Sequence, residues 1–169
     1  PAMDYQVEAA GAISQALLEV GDQVGLASFG PRWTWLGPRL GREHRARLRR
    51  ELALADAFSP VPSDDRFLPG LAIRRLRKHL PGAAQVVFLS PLPDDSIMRY
   101  IRQLEALGHP VTVITPDLTT SDTPGQTLAH LERELRIRGL RERGIRVIDW
   151  DVTDPIAVAV AEAARGWRS

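Results

Sequence analysis

Three short apolar runs, each followed or separated by a helical stretch, constrain this chain most. They are Val86-Val87-Phe88-Leu89, Val111-Thr112-Val113-Ile114-Thr115 and Ile145-Arg146-Val147-Ile148-Asp149-Trp150. Each is too short for a helix, rich in β-branched residues and bounded by polar, Gly or Pro residues, so each reads as a strand. The first has no alternation and reads as buried on both faces. The segments between them are long enough for crossover helices. Ser96 to Leu107 places Ile97, Tyr100, Ile101 and Leu104 at helical spacing, with Gly108 as its stop. Thr123-Pro124 forms an N-cap and first-turn pair, opening a helix to about Arg143 with Leu128, Leu131, Leu135 and Leu140 inward. Asp154-Pro155 repeats that start for a last helix ending near Trp167. Strands joined by such crossovers form a parallel sheet with helices on both faces.

The N-terminal half continues the alternation. Asp4 to Val20 is a helix stopped by Gly21, Gln23 to Phe29 a strand, and Trp33 to Leu36 a second strand after a tight Gly-Pro-Arg turn. That hairpin should supply one antiparallel edge strand. Arg42 to Phe58 is a charged helix with Leu48, Leu52 and Ala55 on one side, and Pro69 to Leu80 is another. The expected fold class is therefore α/β: a three-layer, doubly wound, mostly parallel sheet within a single domain spanning residues 1–169. Pro1-Ala2-Met3 looks like a cloning scar, which puts the natural start near Asp4.

Composition excludes several function classes. The formal charge is +1, and 22 basic residues balance 21 acidic ones, so no strongly charged partner is implied. There is no cysteine, hence no disulfide framework and no thiolate zinc site. No apolar run reaches the roughly 20 residues a membrane-spanning helix needs. The arginine-rich stretches at 42–50 and 133–143 are interleaved with Glu43, Glu51, Glu132, Glu134 and Glu142. They read as solvated helix faces with i,i+4 pairing rather than a phosphate-binding surface, so no nucleic-acid partner is expected.

In an open α/β sheet, ligands bind beyond the carboxyl ends of the strands. Ser90, Asp94, Asp117 and Asp149 fall there and are the candidate binding residues of the rim. Paired carboxylates in such a place can do acid–base or metal work, and the competing reading is that they cap helices and face water. The corner after Leu89 holds Ser90-Pro91, and proline has no ligand atom. His44, His79, His109 and His130 lack metal-ligand spacing and read as solvated or capping residues. No phosphate-cradling glycine loop or nucleophile elbow is present. Trp33 and Trp35 share one face of the hairpin strand, as a partner-binding surface or as a cover beneath a helix.

Asp4-Tyr5-x-Val7-x-Ala9-Ala10, the phrase Gly21-Asp22-x-Val24-Gly25-x-x-x-Phe29-Gly30, the strand Val86–Ser90 and the ending Arg143-Gly144-Ile145-x-Val147 together resemble domain-of-unknown-function family fifty-eight. These are bacterial von Willebrand factor A-like proteins associated with MoxR-type AAA+ ATPases. The resemblance covers nearly the whole chain and implies a non-catalytic protein-interaction module, no enzyme, at the cytoplasmic side of a membrane, anchored through segments outside this sequence. It also implies a metal-ion-dependent adhesion site, which this chain breaks at each piece. The Asp-x-Ser-x-Ser stretch after the first strand is missing. No threonine stands near Arg66 in Asp64-Asp65-Arg66, and Pro91 replaces the aspartate. A degenerate site with no metal and no cofactor is expected. The missing first strand would lie between Gln23–Phe29 and Val86–Ser90, leaving edges open to self-association. A metal-assisted hydrolase using rim carboxylates is the alternative reading, and a nucleic-acid-binding domain a further one.

Overall fold

The computed structural model describes residues 2–29, 33–57, 69–92, 95–118 and 123–167. Asp64, Asp65, Arg66, Asp94 and the Gly30-Pro31-Arg32 turn lie outside them. The chain is mixed α/β, with six helices and five strands among the described residues. It divides into two compact units, residues 3–80 and 81–169.

In the first unit, α1 (Ala2–Glu19) ends as its glycine dictates. Gly21 takes φ +90°, and the N–H of Asp22 reaches back to the Leu17 carbonyl at 3.0 Å. β1 (Val24–Phe29) and β2 (Trp33–Arg39) form a two-stranded antiparallel sheet. Its register slips between Val24↔Arg39 and Leu26↔Leu36, so β2 carries one extra residue, a bulge around Gly37 and Pro38. The bulge brings the Leu36 carbonyl oxygen to within 2.8 Å of where a Cβ on Gly25 would stand, which only glycine tolerates. α2 (Arg42–Ala57) buries Leu48 and Leu52, and α3 (Pro69–His79) buries Ile73 and Leu76.

In the second unit, β3 (Val86–Leu89), β4 (Val111–Asp117) and β5 (Arg146–Asp151) form a parallel sheet in the order β3-β4-β5. α4 (Asp95–Ala106), α5 (Pro124–Arg141) and α6 (Ile156–Trp167) follow the three strands in turn. α5 reaches Thr115 and α6 reaches Thr112, which lie on opposite faces of β4, so the sheet is sandwiched between helices. β4, the central strand, is buried from Val111 to Pro116.

Three expectations need correction. The two sheets are separate among the described residues: the hairpin is not an edge of the parallel sheet. β3 is half-buried along its length rather than buried on both faces, and among the described residues it pairs with β4 alone. On α5, Leu128, Leu131 and Leu135 are 59%, 51% and 63% exposed, while Arg133, Ile137 and Leu140 face inward. Residues 128, 131 and 135 and residues 133, 137 and 140 occupy opposite sides of a 3.6-residue helix. Arg133 is bonded to the sheet from the side that turns in. The Thr123 cap is as expected: its side chain accepts from the Gln126 N–H at 3.3 Å, ahead of Pro124.

Candidate functional site

The carboxyl ends of β4 and β5 sit side by side, with Thr115 opposite Asp149 and Asp117 opposite Asp151. Arg133 descends onto this rim from the second turn and a half of α5. Its Nη2 donates to the Thr115 carbonyl at 3.2 Å, to Thr115 Oγ1 at 3.3 Å and to Asp149 Oδ1 at 2.5 Å. Nη1 stands 3.9 Å from Asp117 Oδ2. The arginine is 5% exposed, whereas both carboxylates are part-exposed. Asp117 and Asp149 are thus brought together, but around a guanidinium that joins α5 to the sheet. Nε and Nη1 of Arg133 are buried without a hydrogen-bond partner, a cost the ion pair must offset.

Asp151 is tied locally. Its Oδ1 accepts from the Thr153 hydroxyl at 2.7 Å and from the Thr153 N–H at 2.8 Å. These bonds hold its carboxyl below the ordinary aspartate value, against desolvation and the like charge of Asp117, which both act to raise it.

Ser90 lies at the third strand end but is not brought to the acidic pair as a ligand group. It is buried, and its Oγ accepts the N–H of Leu92 at 3.1 Å. Leu92, at φ +54°, is fully buried and plugs the corner. Arg136 of α5 pins the same segment, donating from Nη1 to the Leu92 carbonyl at 3.3 Å and from Nε to Asp95 Oδ1 at 3.1 Å. The residues present do not fit an adhesion-type metal site: the serine oxygen is engaged and buried, proline follows it, and a leucine fills the space. Among the described residues no three His, Cys, Asp or Glu side chains are grouped to hold a metal ion.

Trp33 and Trp35 are both half-buried on β2, in the other unit. The Trp35 ring stacks on His79 at the end of α3, with centroids 5.5 Å apart and planes at 29°. Two histidines differ from expectation: His44 is buried with Nε2 2.5 Å from the Val24 carbonyl oxygen, and His109 is buried with Nδ1 3.2 Å from that of Ala84. Each ties elements together instead of facing solvent.

Arg133 is the residue the sequence reading missed. Its stretch reads as a solvated arginine face, yet Arg133, Arg136 and Arg141 are all bonded to the rim, the corner or the Val147 carbonyl. The available signal was spacing, since Arg133 shares the helix face of Ile137 and Leu140. No helix among the described residues is long and apolar enough to cross a membrane. Compared with known proteins, the chain matches no family model, no curated protein and no solved structure.

Proposed function

We propose that this chain is a non-catalytic protein-interaction module that recruits an extended strand at the open edge of β3. The supporting observation is the pairing of β3. The N–H groups of Val86 and Ser90 bond to Pro110 and Ile114, so in a parallel ladder Val87 and Leu89 direct their backbone groups to the other side. Among the described residues no strand pairs there. An apolar, half-buried edge with unpaired backbone groups is a template for another strand. Occupation of the rim by Arg133 and of the Ser90 corner by Leu92 also favours binding over catalysis.

The partner class follows the family resemblance: a MoxR-type AAA+ ATPase at the cytoplasmic side of a membrane, or a second copy of the chain. Light scattering across protein concentrations, with and without a purified MoxR-type ATPase, tests this. The expected result is association that Val87→Pro abolishes, because proline removes the outward N–H and is tolerated on an edge. A monomer at every concentration that also ignores the ATPase overturns the proposal.

A further inference from the structure

In the first unit, α1 and α2 enclose a groove of about 150 Å³. It is lined by Leu18, Leu48 and Leu52 together with Ser14, Arg45 and Arg49. Three features set it apart from an ordinary helix–helix seam. Arg45 and Arg49 lie one turn apart on α2, and among the described residues neither guanidinium is paired with a carboxylate. Ser14 is 8% exposed and lines the groove with its hydroxyl-bearing side chain. Gly11 lies in the interior of α1, where glycine is less favourable than alanine. A Cβ there would stand 3.9 Å from Leu52 Cδ1, so any larger side chain would grow into the groove.

We propose that this groove binds an acidic segment of a partner protein that inserts one Leu- or Phe-sized side chain. A space of about 150 Å³ lined by leucine accommodates one benzene-sized group. The two unpaired guanidiniums at its mouth select a carboxylate beside that side chain, through charge-assisted hydrogen bonds. Ser14 supplies a hydroxyl to the incoming backbone. This site deepens the reading as a protein-interaction module and rests on it, but it lies in a different unit from the β3 edge.

The test is titration of the ¹⁵N-labelled chain with an acetylated Glu-Glu-Phe-Glu-Glu peptide, followed by amide chemical shifts. Saturable shifts at Gly11, Ser14, Arg45 and Leu48 are expected. Serine in place of the peptide's phenylalanine, or glutamine in place of its glutamates, should weaken binding about tenfold or more. Gly11→Leu, which fills the groove while improving helix propensity, and Arg49→Glu, at an exposed position, should do the same. No saturable shift, shifts away from the groove, or equal binding of a lysine-for-glutamate peptide overturns the proposal. Failure here with β3-dependent association intact refutes the groove and leaves the module reading standing. Failure of both removes both.

Discussion

Along α5 three arginines are consumed by the protein itself, and along α2 Arg45 and Arg49 are left over. Arg133 is buried against Thr115 and Asp149, and Arg136 and Arg141 hold loop and strand carbonyls. Arg45 and Arg49 border a leucine-lined groove without an acidic partner among the described residues. Composition is alike in the two helices, with arginine interleaved with glutamate. The difference teaches that a basic stretch has no fixed meaning: a guanidinium on the apolar face of its helix becomes structure, and one at a groove mouth stays available.

Substitutions can break or sharpen that contrast. The largest effect is expected at Ile137→Ala, a cavity on the inward face of α5 costing about 2–4 kcal/mol in urea unfolding. Leu131→Ala, on the opposite face, should stay within about 0.5 kcal/mol. If the two costs were equal, the orientation of α5 would be wrong. Arg133→Met should cost about 2 kcal/mol, less than a fully buried pair because Asp149 is part-exposed. Arg49→Met should cost nearly nothing, and a comparable loss at both sites would erase the contrast. Gly25→Ala forces a Cβ against the Leu36 carbonyl and should cost about 1–3 kcal/mol in the same measurement.

The smallest effect concerns pH. The Asp151 carboxyl is lowered in the folded state by the two Thr153 bonds. Its contribution to stability is therefore present above the unfolded-state value and is lost as pH falls through the folded one. Carbon-detected NMR titration should place its midpoint below 3.8, the ordinary value, and Thr153→Val should bring it back up. A midpoint at or above that value in the native chain would contradict the geometry.

Much of the architecture was legible because it rests on local signals. Gly21, Gly108 and Gly144 take positive φ at helix ends, and Thr123-Pro124 begins α5. The three apolar runs are strands, and β4 and β5 extend a residue or more beyond the expected ends. The candidate site was legible only as a location. Asp117 and Asp149 do meet at the rim, but Ser90 is spent on Leu92, and Asp94 lies outside the described residues. Four leucines outweighed one arginine in the reading of α5, since hydropathy alone cannot register the energy of a guanidinium bonded to a strand end.

By itself, the sequence determined which segments are helices and strands, and that the C-terminal strands run parallel. Those outcomes follow from backbone preferences and from crossover length, which act within a few residues or between neighbours in the chain. Only the tertiary structure decided that the hairpin forms its own sheet, that β3 is a half-buried edge, and that Arg133 turns inward while Arg45 and Arg49 flank a groove. Each of these depends on which groups from distant segments share a space. The balance of desolvation against pairing is settled there, not along the chain.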